Sequence, residues 1–245
     1  MKALLLAAGY ATRLYPLTKE YPKSLLAVGS QPIINYIIDK LEAIDEIDEI
    51  IVVTNNKFFS IFKDWQRNLR TNKRVSIVND LTKSNETRLG AVGDMNFVIN
   101  RKRIKDDLLV IGGDNLFDGG LSDFIEFTQA FKNAPVVGVY DLPNRSDAKK
   151  YGVMKLDKKK RVVDFEEKPE RPKSSLVGMC LYYFPKARLR LVKEYLKDKK
   201  KASDASGSYI DWLRKEVPVY GFVFRGKWFD IGDFKYLNEA HKAFK

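Results

Sequence analysis

The sequence predicts an α/β protein: a mostly parallel sheet flanked by helices, with a smaller mixed β-sheet in the C-terminal half. Three observations carry this. Residues 3–8, 50–53 and 108–111 are apolar runs without polar alternation, as expected of strands buried on both faces. Stretches with apolar residues at helical spacing lie between them, so strand and helix alternate and right-handed crossovers join parallel strands. Past Tyr140 the rhythm changes, and short strands dominate.

In chain order, residues 3–8 form the first strand and Gly9 ends it. Pro32 opens a helix with Ile33, Ile34, Ile37, Ile38, Leu41 and Ile44 on one face. The strand at 50–53 ends at Thr54-Asn55-Asn56, and a helix bearing Phe58, Phe59, Phe62, Trp65 and Leu69 follows. Residues 75–78 make a short strand, residues 79–88 a polar loop, and Leu89-Gly90-Ala91 starts the next helix. The strand at 108–111 runs into Gly112-Gly113-Asp114-Asn115. A helix at 122–131 has Ser122 as its candidate N-cap. Strands are expected at 135–140, 151–156, 162–166, 176–184 and 217–224, and helices at 186–197, 209–216 and 234–244. No linker rich in Gly, Ser or Pro divides the chain, so residues 1–245 read as one domain with two functional halves, about 1–120 and about 121–245.

The chemistry concentrates at strand ends. Gly9, Ala11 and Thr12 are small, so backbone N–H groups can approach a ligand. Arg13 adds a planar cation suited to phosphate oxygens, Lys23 a second cation, and Pro16 and Pro22 stiffen the chain between them. An ordinary first strand and loop explains the same residues equally well. Asn79 and Asn85 offer both donors and acceptors, as a pyrimidine edge requires, or they are turn formers. Asp114 follows a buried strand, where a carboxylate reaches a ligand or closes a tight turn. Glu167 and Lys168 offer a carboxylate acceptor and a mobile cation, or form a surface ion pair. Val177-Gly178 is a small-residue strand position that suits either a ligand or tight packing.

Composition narrows the classes. Charged residues make up 31% and hydrophobic residues 44%, which suits a globular chain in water. No apolar run approaches the roughly 20 residues that span a bilayer. The opening Met-Lys-Ala-Leu-Leu-Leu lacks a cleavage-type site behind it, so it reads as a strand and not as a signal peptide. The single cysteine, Cys180, cannot form an internal disulfide; a small core residue and a cytoplasmic location are expected. His241 is the only histidine and is expected at the surface, which excludes a histidine relay. A net charge of +12 suits anionic substrates, nucleic acid or an anionic surface. The basic runs Lys158-Lys159-Lys160-Arg161 and Lys197-Asp198-Lys199-Lys200-Lys201 sit at turn or helix-end positions, and no nucleic-acid motif accompanies them. No nucleic-acid or membrane partner is therefore expected.

Leu6-Ala7-Ala8-Gly9, followed by Thr12-Arg13-Leu14, Pro16-Leu17-Thr18 and Pro22-Lys23, resembles the N-terminal signature of the sugar-1-phosphate nucleotidyltransferases, the glucose-1-phosphate thymidylyl- and uridylyltransferases among them. Gly113-Asp114-Asn115, Tyr151-Gly152-Val153, Glu167-Lys168-Pro169 and Trp228-Phe229-Asp230-Ile231-Gly232 resemble the family's later motifs, in family order. The departures are Tyr10-Ala11, where the family often has a second glycine, and Thr87-Arg88-Leu89-Gly90-Ala91 at the base-reading segment.

The resemblance implies a Rossmann-like fold and an enzyme that joins a sugar 1-phosphate, glucose 1-phosphate as first expectation, to dTTP or UTP and releases pyrophosphate. It places the nucleotide at Leu6, Ala8, Gly9, Thr12, Arg13, Lys23, Asn79, Asn85 and Gly90. It places the sugar phosphate at Tyr151, Gly152, Glu167, Lys168, Val177 and Gly178, and Mg²⁺ at Asp114 and Asp230. Arg13, Lys23, Asp114 and Lys168 take the catalytic roles. The alternatives are a CTP-dependent cytidylyltransferase acting on an alcohol phosphate such as phosphocholine, a nucleic-acid-binding protein, or a regulatory relative of the fold. A monomer or small homo-oligomer is expected.

Overall fold

A computed structural model describes residues 1–131, 133–198 and 206–244. The strands in chain order are β1 (Lys2–Leu6), β2 (Ala27–Val28), β3 (Gln31–Pro32), β4 (Glu49–Thr54), β5 (Arg74–Asn79), β6 (Leu108–Gly112) and β7 (Asn115–Phe117). They continue with β8 (Val136–Asp141), β9 (Gly152–Leu156), β10 (Val162–Glu167), β11 (Leu176–Phe184), β12 (Tyr220–Phe224) and β13 (Trp228–Asp230). The helices are α1 (Ile33–Glu42), α2 (Phe59–Asn68), α3 (Gly90–Lys102), α4 (Ser122–Ala130), α5 (Arg190–Leu196), α6 (Ser206–Glu216) and α7 (Phe234–Ala243).

Among the described residues, nine strands form one mixed sheet. Its main path is β10-β9-β11-β6-β1-β4-β5, with β8 beside β11 and β12 beside β8. The first half is parallel: β1 lies between β4 and β6, and β5 pairs with β4. The strands of the second half enter antiparallel through β11, which pairs with β6 and β8. The mixed β region expected there is thus continuous with the central sheet. Two small antiparallel pairs, β2–β3 and β7–β13, stand apart from it.

The apolar runs form the middle of the sheet because helices cover both faces, so neither side chain parity meets water. Ala3 and Leu5 point to the side packed by Ile34, Ile37, Ile38 and Leu41 of α1 and Phe62 of α2. Leu4 points to the other, against Val92, Met95 and Val98 of α3, with Tyr195 of α5 and Tyr209 of α6 in the same cluster. All of these are buried, and each Leu, Ile, Val, Met or Phe among them contributes about 1.5–3 kcal/mol of transfer free energy. A third cluster joins Leu14 and Ile33 to Ile231, Leu237 and Ala240, so α7 closes against the opening loop.

Some local expectations change. Ser122 is the first residue of α4, not its cap; Leu121 holds that position without a side-chain hydrogen bond. The helix expected from Lys186 opens with a 3₁₀ turn, Lys186–Arg188, before α5, and β12 starts at Tyr220. Cys180 is half-buried, not a closed core residue: it lies in β11 where the register with β8 breaks, and its backbone φ is 53°. His241 is exposed, as expected, and Lys158, Lys159 and Lys160 form an exposed turn. Of the second basic run, Lys199, Lys200 and Lys201 lie outside the described residues. Among the described residues no helix is long and apolar enough to cross a membrane.

Candidate active site

Because β1, β4 and β6 are parallel, the loops that leave them gather on one edge of the sheet, where open α/β sheets bind ligands. The Ala7 N–H still donates to Val53 O at 2.9 Å, and the Gly113 N–H to Leu6 O at 2.8 Å. Beyond that the first loop is held by side chains. Buried Asn55 donates through Nδ2 to Ala8 O at 2.9 Å, while its Oδ1 accepts the Phe58 N–H at 3.0 Å, where α2 begins. Ala11 takes a left-handed conformation, φ 48°, and its carbonyl accepts from Thr18 Oγ1 at 2.8 Å. The chain thereby turns Thr12 and Arg13 toward the cleft.

That cleft, about 420 Å³, is lined by Leu6, Gly9, Thr12, Arg13, Lys23, Asn85 and Asp114. A recess of about 170 Å³ continues it, walled by Leu6, Ala8, Gly9 and Gly90 together with Arg88, Ala91 and Asp94. Asn79 lines neither. Its Nδ2 donates to Asn56 Oδ1 at 2.9 Å and its Oδ1 accepts the Leu81 N–H at 2.8 Å. The bond to Leu81 is that of an Asx turn.

A second cavity, about 320 Å³, lies over the antiparallel part of the sheet. Tyr151, Gly152, Glu167, Lys168 and Gly178 line it, and Asp114, Asp230 and Arg13 close the end nearest the first cleft. Val177 does not reach it: the side chain is fully buried with Ala148 and Val153, which is the packing role. Arg13 and Asp114 line both cavities, so the two spaces meet at these side chains.

Asp114 and Asp230 come together although 116 positions separate them in sequence, because β7 and β13 pair with Asp230 opposite Asn115 and the Ile231 N–H donates to Asp114 O at 3.3 Å. Burial, and then the adjacent Asp114 carboxylate, push the Asp230 carboxyl up to about 6, while Lys23, Arg13 and Lys168 pull it back. Lys23 Nζ forms an ion pair with Asp114 Oδ2. The Asp114 carboxylate repels that of Asp230, so a cation shared between them in place of the Lys23 ion pair would relieve that repulsion. Hard oxygen donors, two in number and next to a cleft lined by Arg13 and Lys23, fit Mg²⁺, which takes one or two carboxylates and completes its shell with water and substrate phosphates. Among the described residues there is no cluster of three or more His, Cys, Asp or Glu of the kind a closed metal cage needs.

In the second cavity Glu167 is the half-buried acceptor. Burial raises its carboxyl pKa above the usual range, and the Lys168 ammonium, 3.8 Å away, opposes this. Two glycines give it room. A Cβ on Gly152 would lie 3.1 Å from Glu167 Oε2, and one on Gly207 only 1.9 Å. Lys168 is itself left-handed, φ 46°, with its N–H on Tyr151 O at 3.0 Å, and its side chain is exposed at the mouth. Tyr151 packs against Trp228 at a ring distance of 5.2 Å, and burial, then Asp230, raise its phenol pKa.

Several site residues were not legible beforehand. Arg88 and Asp94 flank the recess, and the only sequence signal was their place around Gly90 at a helix start. Gly207 gave no signal, since its partner Glu167 is forty residues away. Asn55 had one: an apolar strand that ends in Asn is a place where a side chain caps the next helix.

The geometry agrees with what this chain is similar to. A sequence model of the nucleotidyl transferase family matches residues 2–245. The bifunctional protein GlmU of Methanocaldococcus jannaschii is 30% identical over 242 residues, 99% of this chain and 54% of that protein. The glucose-1-phosphate adenylyltransferase of Acetivibrio thermocellus is 29% identical over 247 residues, covering 94% and 56%. A solved UDP-glucose pyrophosphorylase complexed with UDP-glucose superposes with a TM-score of 0.83 at 21% identity, over 99% of this chain and 97% of the other, a likeness of fold. The chain spans about half the length of the curated relatives it matches. With the match running over nearly every residue, the chain belongs to the nucleotidyl transferase family.

Proposed function

We propose that this chain transfers a nucleotidyl group from a nucleoside triphosphate to a sugar 1-phosphate, giving a nucleotide sugar and pyrophosphate. The observation that carries the reading is the junction: a cation-lined cleft at the strand ends and a second cavity over the antiparallel strands share Arg13 and Asp114 at their boundary. Such an arrangement sets one phosphate against another.

The roles follow from position. Backbone groups around Leu6, Ala8 and Gly9, with Gly90 and Asn85, hold the nucleotide, and Arg13 and Lys23 bind its phosphates. Glu167 takes sugar hydroxyls, Tyr151, Gly152 and Gly178 wall the sugar, and Lys168 turns its phosphate inward. A sugar-phosphate oxygen attacks the α-phosphorus in line, the bond to the β-phosphate oxygen breaks, and pyrophosphate leaves. The attacking oxygen is already anionic at neutral pH, so no general base is needed; alignment and charge stabilisation do the catalysis. Asp114 and Asp230 would hold Mg²⁺, which when bound neutralises charge on the phosphate oxygens.

A pyrimidine triphosphate, dTTP or UTP, with glucose 1-phosphate is the first pair to test. The test is pyrophosphate release across a panel of triphosphates and sugar phosphates. Asp114→Asn and Asp230→Asn should each lower turnover by at least about a hundredfold on the preferred pair, the scale of a lost electrostatic element. Undiminished turnover in either variant would remove the metal role, and no release from any pair would end the reading.

A further inference from the structure

Asn115 follows the motif aspartate and is 2% exposed. Its side chain makes three hydrogen bonds to two other segments. Nδ2 donates to Met179 O at 2.6 Å and to Cys180 O at 3.3 Å, and Oδ1 accepts the Trp228 indole N–H at 2.8 Å.

Each partner matters to the cavity. In β11 the register with β8 breaks between Gly178 and Tyr182, and Cys180 is left-handed inside the strand. Such a bulge turns strand residues out of their ordinary alternation, and here consecutive carbonyls face one donor. Buried carbonyls without a donor cost free energy, so the Asn115 amide sustains the bulge that aims Gly178 and Cys180 into the cavity. On the other side, Trp228 belongs to the same short strand as Asp230, and its ring packs on Tyr151 at 5.2 Å and Tyr140 at 5.4 Å. Asn115 also stands directly opposite Asp230 in the β7–β13 pair.

We propose that Asn115 is a positioning residue: its amide ties the two-aspartate strand pair to the sugar-facing bulge of β11 and so fixes where the sugar phosphate lies relative to Asp114 and Asp230. This role rests on the nucleotidyl-transfer reading above. A carboxylate at this position supplies no donor and sets negative charge against the carbonyls of Met179 and Cys180, and an apolar residue of similar size supplies neither donor nor acceptor.

The test compares Asn115→Asp, Asn115→Leu and Trp228→Phe with the unaltered protein. Steady-state kinetics are measured on the preferred substrate pair, triphosphate affinity by calorimetry without sugar phosphate, and thermal midpoints alongside. The Asn115 variants should raise KM for the sugar phosphate tenfold or more while triphosphate affinity stays within twofold. Trp228→Phe, which loses the donor to Oδ1 together with part of the ring that packs on Tyr151 and lines the cavity, should shift the same KM at least about threefold. A lowered midpoint with KM unmoved would make the role merely structural and overturn the proposal; so would equal loss toward both substrates. Should the Asn115 variants fail to fold, an unmoved sugar-phosphate KM in Trp228→Phe overturns the proposal. Absence of turnover and of ligand binding in the unaltered protein would instead overturn the functional reading, and this role with it.

Discussion

Gly207→Ala isolates the cavity proposed for the sugar from the rest of the fold. Gly207 is the second residue of α6, and a helical Gly→Ala change ordinarily gains up to about 1 kcal/mol. Here the new Cβ would lie 1.9 Å from Glu167 Oε2 and 3.0 Å from Phe165 Cζ. Contacts below 3.0 Å are essentially never seen for a real Cβ, so the carboxylate must retreat by about 1 Å. It is the free end of a flexible side chain, so the fold absorbs the change at little cost; the site does not. Misplacement on the order of 1 Å costs about a hundredfold in an aligned reaction. The expected outcome is a thermal midpoint equal to or above that of the unaltered protein, kcat/KM for the sugar phosphate down about a hundredfold, and triphosphate affinity within twofold. The assay is pyrophosphate release against sugar-phosphate concentration, with calorimetry for the nucleotide. Sugar-phosphate kinetics within threefold of the unaltered protein would refute the placement of Glu167 on the sugar. A collapse in stability would refute the claim that only the carboxylate moves.

Other outcomes follow from the same geometry. Lys168→Ala should weaken sugar-phosphate use more than triphosphate binding, because the side chain stands at the mouth of the second cavity; equal losses in titrations of both would count against its role. Asn55→Ala removes one donor to the loop carbonyl of Ala8 and one acceptor at the start of α2, so chemical denaturation should show a loss of about 1–3 kcal/mol and triphosphate affinity should fall with it. Buried Glu49 is raised by desolvation, but Lys102 Nζ at 2.7 Å and Ser76 Oγ at 2.8 Å, with Arg74 and Lys2 near, leave its carboxyl below the usual range. A depressed carboxyl stabilises the fold above its unfolded pKa and loses that contribution as pH falls through its folded value. Glu49→Gln should therefore cost about 2 kcal/mol near pH 7, and the gap should hold down to the ordinary carboxyl value of 4.5 and narrow in denaturation curves taken below it; a gap independent of pH would contradict the ion-pair account.

Much of this molecule was fixed locally. The apolar runs of β1, β4 and β6 and the helical spacing of Ile33, Ile34, Ile37, Ile38 and Leu41 each follow from which faces must be kept from water, and that requirement is written in neighbouring residues. The motif residues from Leu6 to Asp230 could likewise be named in advance, because their chemistry and order resemble one family's. What no local pattern encodes is distance between segments. Asn79 and Asn85 carry the same functional group in the same loop, yet one is spent on a turn and the other faces the cleft. Val177 and Gly178 are adjacent, and the strand's alternation buries one and opens the other. The meeting of Asp114 with Asp230 depends on β7 pairing with β13, and the room for Glu167 depends on Gly207 arriving from α6. By itself the sequence determined the two periodicities, the strand-end chemistry and the family. The tertiary structure alone decided which of those groups share a cavity, because pairing and packing between distant segments set positions that no run of neighbouring residues constrains.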